Sequence, residues 1–254
     1  MRYLKIVIFA TFVAILFSAC THKTPYTNRS QLILMSSQEE LALGEKSYKE
    51  SLSELKVITG TKDALKVQTI GQKIAVAANQ PNYKWEFNLV EDNQANAFCL
   101  PGGKVVVYTG ILKYAKNDDQ LATVISHEVA HALARHGAER VTQGMIQQGV
   151  GLIGSVAVAA TAPQYQNAFN QAYGLGSNLG VMLPYGRMQE SEADEIGIYL
   201  MHKAGYNVNE ATKFWENMSE GKSGGNDFFS THPSSQNRTK DIQTVINKIG
   251  NEAK

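Results

Sequence analysis

The chain has 254 residues, of which 43% are hydrophobic, and this composition supports one sizeable buried core. It carries 24 basic and 23 acidic side chains, which gives a formal net charge of +1. No basic tract interrupts this balance. The charge pattern therefore argues against a nucleic-acid partner, since such a partner requires a basic surface.

The first residues are typical of a targeting segment. Arg2 and Lys5 precede an apolar run from Ile6 to Phe17, which has the length of a signal-peptide core. The letters LFSAC, ending at Cys20, resemble a lipobox, although Phe17 is an unusual residue there. The pattern predicts cleavage before Cys20 and acylation of its thiol. An uncleaved anchor and an ordinary cleaved signal are the alternatives.

These features predict three regions, namely a lipoprotein signal peptide at 1–19, a lipidated tether at 20–31 and a folded domain at 32–254. The tether is predicted because residues 21–31 are polar, contain Pro25 and lack periodicity. The expected location is the bacterial cell envelope, lipid-anchored and facing the periplasm, at the outer membrane. Lipidation would leave Cys99 as the remaining thiol, which we interpret as a small buried hydrophobe.

The next segments predict a scaffold of helices and strands. Ser36 and Glu39 have the spacing of a capping box, and a second helix is predicted from Thr61 to Asn79. From residue 83 the apolar period changes to two, which indicates a half-buried strand over 85–90. A second strand is predicted over 104–108, after a connection at 93–98 and a turn at 101–103. The fold class is therefore α+β and mainly helical, with a small sheet.

The segment from Leu121 to His136 contains the pattern H-E-x-x-H at 127–131. On a helix, His127 and His131 lie within roughly 40° of each other, so two imidazoles can hold one side of a tetrahedral Zn²⁺. Glu128 projects from the same edge and is predicted to act as a general base on the attacking water. Two ordinary surface or core histidines are the alternative. His136 lies on the opposite side of the helix and is interpreted as structural or exposed.

Caps and an apolar stripe support a helix at this motif. Asn117 is predicted to cap its start, and Gly137 is predicted to stop it. The apolar residues of this segment recur at steps of three or four, as a helix face requires. Downstream, residues 149–160 are apolar and small, and they are too few for a membrane span, so a tightly packed helix is predicted. The polar stretch that follows to residue 180 is interpreted as either a lid or polar surface.

A further acidic helix is predicted to supply the third ligand. Glu190 and Asp194 stand one turn apart, and a carboxylate from a second helix would complete a His₂Glu set with an open fourth position. Asp194 could accept the other ring N–H of a ligating histidine. Glu192 and Glu195 point elsewhere and are interpreted as solvated charges. A fully solvated acidic face is the alternative for the whole run.

Four sequence blocks in this order resemble metallopeptidase family forty-eight, which includes the CAAX prenyl endopeptidase and HtpX. The blocks are Asn96-Ala97-Phe98 with Pro101-Gly102-Gly103, His127 to His131, Glu190 to Asp194, and Thr231-His232-Pro233 with Arg238. The resemblance covers most of the chain after about residue 30. Within the family, the chain resembles a bacterial lipoprotein branch without C-terminal repeats. The resemblance implies a zincin-type (gluzincin) protease domain with one Zn²⁺ per chain, held by His127, His131 and Glu190.

Residues outside the metal-motif helices also have candidate roles. By the resemblance, Asn96 and Ala97 are candidates for a strand edge that pairs with an extended substrate, and a plain structural hairpin is the alternative. His232 is restrained by Pro233 and has three open roles: an oxyanion donor, a fourth zinc ligand in a resting state, or a structural residue. Arg238 either assists the oxyanion or holds the loop.

Together these residues predict a zinc metalloendopeptidase that hydrolyses peptide bonds in unfolded or misassembled envelope proteins. The expected partners are those substrates and, through Cys20, a membrane. Two other classes stay open. One is a latent zinc-stabilised chaperone or binding module, which the possible zinc contact of His232 keeps open. The other is a zinc hydrolase of a non-peptide amide or ester.

Overall fold

A computed structural model describes residues 21–147, Phe169, and residues 186–220, 228–233 and 237–252. The predicted signal peptide and the acylation site at Cys20 lie outside the described residues. The same holds for the predicted packed helix at 149–160 and for most of the polar stretch that follows it to residue 180. Within the described part of the chain, no helix is long and apolar enough to cross a membrane.

The described elements are mostly helical, as the sequence predicts. The strands are β1 (Thr21–Lys23), β2 (Ser30–Leu32), β3 (Val57–Ile58), β4 (Glu86–Val90), β5 (Ala97–Leu100) and β6 (Lys104–Tyr108). The helices are α1 (Ser37–Glu54), α2 (Lys62–Ala78), α3 (Asp118–Leu133), α4 (His136–Gln147), α5 (Arg187–Lys203), α6 (Glu210–Glu220), α7 (Phe228–Thr231) and α8 (Arg238–Glu252), with a 3₁₀ helix at Thr109–Lys113. The predicted α+β, mainly helical class is confirmed.

The larger sheet has the strand order β3-β4-β6-β5, so among the residues that the structure describes β5 is an edge strand. β4 and β6 pair in parallel, with Phe87 opposite Val105, while β5 pairs antiparallel with β6. The sequence predicts β4 and β6, but it treats residues 93–98 as a connection, whereas Ala97 and Phe98 belong to β5. The period-two signal fails there because all four β5 residues are buried, so polar and apolar positions do not alternate.

Helix α3 lies at the centre of the core. Every residue from 120 to 133 is buried, since α2, α5, α6 and the sheet all pack against this helix. Burial on all sides follows from the apolar and small residues that surround the motif, among them Val124, Val129 and Ala130. The start of α3 is capped as predicted, with the Gln120 backbone N–H donating to Asn117 Oδ1 at 2.8 Å.

The end of α3 differs from the prediction that places the stop at Gly137. The helix ends at Leu133, and the chain turns at Arg135, which has a φ of 55° in the left-handed region. Arg135 is held there by its own side chain, because its guanidinium donates to Glu40 at 2.6 Å and to the Met35 carbonyl at 3.2 Å. Gly137 lies inside α4. The end of α3 is therefore determined by an ion pair between distant segments and not by the nearby glycine.

The predicted tether also differs from the structure. Residues 21–32 form the antiparallel hairpin β1–β2, with Thr21 opposite Leu32. Thr24 and Gln31 are buried, and Gln31 Nε2 donates to the Ala134 carbonyl at 2.7 Å. The polar side chains, which suggest solvent exposure in the sequence, instead hydrogen-bond to the folded domain. We call residues 21–32 the N-terminal hairpin.

Candidate metal centre and active site

The site begins with two histidines on α3. His127 and His131 stand one helical turn apart, and their Nε2 atoms are 3.1 Å from each other. Both side chains are buried. Two ligands held at 2.0–2.1 Å by one tetrahedral ion would be separated by roughly 3.3 Å, so this spacing suits Zn²⁺.

Glu190 on α5 completes the set from the facing helix. Its Oε2 lies 3.4 Å from His127 Nε2, and its Oε1 lies 3.4 Å from His131 Nε2. Desolvation opposes the charged carboxylate, but the nearby histidines hold the pKa of Glu190 well below its usual range. Glu190 therefore places an ionised carboxylate beside both imidazoles, where it could act as the third ligand that the sequence predicts.

His232, the residue that directly follows α7, also belongs to this cluster. Its Nδ1 lies 3.1 Å from Glu190 Oε1, and its side chain is fully buried. The donor atoms of His127, His131, Glu190 and His232 all lie within 4.8 Å of one another. Three imidazoles and one carboxylate, buried together, are a donor set that fits zinc.

Glu128 lies beside the four-residue cluster and is not a member of it. Its side chain is buried, and its Oε1 is 3.5 Å from His232 Nε2. Among the residues that the structure describes, Oε1 has no hydrogen-bond partner. Burial raises the pKa of this carboxyl group. A carboxylate with an uncommitted oxygen and a raised pKa at this place is suited to accept a proton during catalysis.

Asp194 and Arg238 contact His127 at Nδ1, the ring nitrogen that does not face His131. Asp194 Oδ1 lies 2.9 Å from His127 Nδ1, and Arg238 Nη2 donates to the same oxygen at 2.7 Å. The Arg238 guanidinium is stacked 3.3 Å above the Trp215 ring. Desolvation lowers the pKa of His127, but the carboxylates of Asp194 and Glu190 outweigh it and raise this pKa to about 9. The negative surroundings of His127 therefore favour a bound cation.

Sequence reasoning missed two residues on the far side of His131. His136 Nδ1 lies 2.9 Å from His131 Nδ1, and His136 Nε2 lies 2.9 Å from Glu192 Oε2. Glu192 is buried, so its interpretation as a solvated charge is wrong. His136 belongs to α4 and not to the motif helix, and the turn at Arg135 returns it toward His131. A prediction that extends α3 as far as residue 136 therefore points the His136 side chain away from His131, which is wrong.

Asn96 directly precedes β5 and Ala97 is the first residue of this strand, and neither is one of the four clustered residues. Asn96 Oδ1 accepts a hydrogen bond from the Ala97 backbone N–H at 2.9 Å. The Tyr108 N–H donates to the Asn96 carbonyl, and this pattern turns the peptide groups of Ala97 and Cys99 away from β6. Strand β5 also packs against α3. The side of β5 that faces away from β6 therefore belongs to a strand that packs against α3, the helix that carries the H-E-x-x-H motif.

Comparison with known proteins agrees with this geometry. The sequence profile described as Peptidase family M48 matches residues 61–246. Among similar proteins, the mitochondrial metalloendopeptidase OMA1 of Schizosaccharomyces pombe is 36% identical over 225 residues, which cover 86% of this chain and 64% of that protein. The protein of the same name from Saccharomyces cerevisiae is 32% identical over an alignment of 265 positions, gaps included, which covers 93% of this chain and 74% of that protein.

A bacterial relative is more distant and longer. The beta-barrel assembly-enhancing protease of Escherichia coli is 28% identical over 189 residues, which cover 72% of this chain and 39% of that protein. The chain thus spans 64% of the first relative's length and well under half of the bacterial one. The family profile matches most of the chain, and the chain belongs to peptidase family M48.

Family membership settles several predictions. The predicted zincin-type domain and the predicted enzyme class, a metalloendopeptidase, are confirmed. The predicted bacterial outer-membrane location is wrong, because OMA1 relatives from several organisms are mitochondrial proteins. The bacterial lipoprotein branch is not supported by these relatives. Proteases of this family use a metal, and the cluster of His127, His131, Glu190 and His232 could hold one.

Proposed function

We propose that this member of peptidase family M48 hydrolyses peptide bonds in unfolded or misassembled proteins, with one Zn²⁺ per chain. His127, His131 and Glu190 would hold the ion. The observation that carries the proposal is the buried cluster of donor atoms within 4.8 Å, which has Glu128 immediately beside it. A quality-control role follows from the substrate class, since unfolded chains expose extended backbone.

Each residue of the chain has a distinct task in this proposal. A bound Zn²⁺ supplies Lewis-acid activation of the attacking water and of the scissile carbonyl. Glu128 accepts the proton of that water and later passes it to the leaving amine. Asp194 accepts from His127 Nδ1–H, which leaves Nε2 as the ligand atom, and Arg238 fixes the Asp194 carboxylate.

The edge strand β5 supports a polypeptide substrate. The backbone N–H and C=O groups of Cys99 and the C=O of Ala97 face away from β6, so they are oriented to pair with an extended segment. Main-chain hydrogen bonds recognise backbone and tolerate many sequences. Asn96 would fix the first residue of this edge through its bond to the Ala97 N–H. Broad recognition of extended chains suits a protease of unfolded proteins.

His232 supports a second, latent state of the same site. Its imidazole lies between Glu190 and Glu128, at 3.1 Å and 3.5 Å, in the region where the attacking water would bind. We propose that His232 serves as a fourth ligand in a resting enzyme and must withdraw before turnover. A zinc-stabilised binding module with latent proteolysis is the second candidate function, and this contact is the observation that favours it.

The experiment that tests the proposed function uses the full chain and three samples. Zinc content is measured by atomic emission, and cleavage of unfolded casein is followed with chelator, without chelator, and in the Glu128→Gln variant. One zinc per chain, with cleavage abolished by chelator and by the substitution while zinc is retained, is the expected result. No zinc would overturn the proposal. Equal cleavage by Glu128→Gln would overturn the role of Glu128.

A further inference from the structure

A buried hydrogen-bonded chain connects His131 to the N-terminal hairpin. From His131 Nδ1 it runs 2.9 Å to His136 Nδ1, and from His136 Nε2 a further 2.9 Å to Glu192 Oε2. His131, His136 and Glu192 are all buried. We call these three residues the relay. It differs from the support of His127, whose ring contacts the carboxylate of Asp194 directly.

The relay admits one arrangement of protons when His131 binds a metal through Nε2. A neutral His131 must then carry its proton on Nδ1 and donate it to His136 Nδ1. His136 Nδ1 is consequently an acceptor, and its proton resides on Nε2, from which it donates to the Glu192 carboxylate. The carboxylate of Glu192 therefore determines which nitrogen of His131 faces the ligand cluster.

Glu192 is in turn held by the N-terminal hairpin. Thr24 Oγ1 donates to Glu192 Oε1 at 2.7 Å, Thr27 Oγ1 donates to the same oxygen, and Arg29 Nε donates to Oε2 at 2.7 Å. Arg29 also forms two hydrogen bonds to Glu139 on α4, at 2.7 and 2.9 Å.

We propose that His136 and Glu192 are positioning residues for the metal ligand His131, and that the N-terminal hairpin sets the metal affinity of the site through Thr24, Thr27 and Arg29. The inference rests on the proposed function, since it takes His131 as a zinc ligand. A segment near the start of the chain, more than 90 residues away in sequence from His131, thereby becomes part of the metal site. Loosening this hairpin would weaken zinc binding without touching a ligand.

Zinc affinity in the full chain, measured by competition with a chromophoric chelator, tests the inference. Glu192→Gln and the isosteric double variant T24V/T27V should each bind one zinc with an affinity lower by roughly 10–100-fold, the usual effect of losing an outer partner of a ligand. Glu210→Gln is the matched control. Glu210 is also a buried carboxylate and accepts hydrogen bonds from Asn117 Nδ2 and Gln120 Nε2 at 2.9 Å each, and neither of these partners belongs to the relay or to the N-terminal hairpin.

Three outcomes are informative. Weakened zinc binding in Glu192→Gln and in T24V/T27V, with the affinity of Glu210→Gln unchanged, would support the inference. Unchanged affinity in both Glu192→Gln and T24V/T27V, or an equal loss in Glu210→Gln, would overturn it while zinc binding by the unmodified chain still upheld the proposed function. No zinc binding by the unmodified chain would overturn both.

A spectroscopic measurement remains decisive if a variant fails to fold. In the zinc-loaded unmodified chain, ¹⁵N NMR of the imidazoles should show His136 as the tautomer protonated on Nε2 and His131 as the tautomer protonated on Nδ1. A merely structural role for His136 does not require this pair of tautomers. Protonation of His136 on Nδ1 would contradict the relay.

Discussion

Gly197 on α5 lies directly against His127 on α3. A Cβ atom built at Gly197 would be 3.3 Å from the His127 backbone nitrogen and 3.3 Å from Ser126 Oγ. The two helices that carry the proposed ligands are therefore so close that a Cβ atom at residue 197 would lie nearer to α3 than an ordinary van der Waals contact. This contact sets the distance at which Glu190, two turns earlier on α5, faces both histidines.

Gly197→Ala should destabilise the protein and displace Glu190. Alanine favours a helix over glycine by about 1 kcal/mol, but overpacking a tight core contact costs about 1–3 kcal/mol, and here the backbone of α3 has to move. The matched control is Gly144→Ala on α4, where an added Cβ has nothing within 4 Å among the described residues. Thermal unfolding should show a lower midpoint for the first variant and an equal or higher one for the second. A midpoint raised by Gly197→Ala would contradict the tight contact.

Glu190→Gln should abolish stoichiometric zinc binding, because it replaces an ionised ligand oxygen by a neutral amide in a buried cluster. The loss should exceed the roughly 10–100-fold that accompanies removal of an outer hydrogen-bond partner. Glu195→Gln, a partly exposed residue on the same helix, is the control and should bind zinc normally. Isothermal titration with Zn²⁺ measures both variants. Normal binding by Glu190→Gln would remove this residue from the ligand set.

His232→Ala should retain one zinc and cleave casein faster than the unmodified chain, since three ligands remain and the region beside Glu128 becomes accessible. The exposed His202, on the last turn of α5, provides the control variant His202→Ala, which should behave like the unmodified chain. Initial cleavage rates at saturating casein make the comparison. A fall of roughly 10²–10³-fold in rate, with zinc retained, would instead assign an oxyanion role to His232.

Glu210 should make the stability of the protein dependent on acid pH. Its carboxylate accepts from Lys213, and from Asn117 Nδ2 and Gln120 Nε2 at 2.9 Å each, and these bonds lower its pKa to about 2 from 4.5. A lowered pKa in the folded state contributes stability that is complete above pH 4.5 and is lost as the pH falls toward 2.

The measurement is the free energy of unfolding in urea, for the unmodified chain and for Glu210→Gln, between pH 7 and pH 2. The unmodified chain should be more stable above pH 4.5, and the difference between the two proteins should narrow between pH 4.5 and pH 2. A difference that stays constant over this range, or widens toward pH 2, would contradict the predicted role of Glu210.

Much of the candidate site is predictable because its spacing is local. The 3.6-residue period places His127 and His131 on one face, and the Asn117 cap fixes where their helix begins. The same period pairs Glu190 with Asp194. These relations depend on a single helix each, so the sequence determines them before any packing occurs.

The relay and the hairpin depend on contacts between distant segments. Glu190 and Glu192 lie two residues apart on one helix, so their side chains point to roughly opposite sides of it. A helix that packs on one side only would leave one of them exposed to solvent. In the folded protein α3 covers Glu190, while the hairpin and His136 surround Glu192, so both are buried. The ion pair between Arg135 and Glu40, which shapes the turn that orients His136, is likewise non-local.

The sequence by itself determined the chemistry of this protein, since residue types and helical spacing specify a pair of imidazoles, a carboxylate base and a second acidic helix. Only the tertiary structure decided what supports them, namely the edge position of β5, the inclusion of His232 in the cluster and the connection of His131 to residues 24–29. The physical reason is that a polar side chain is equally compatible with solvent and with a buried hydrogen-bonded network, and only its partners from other segments select between them.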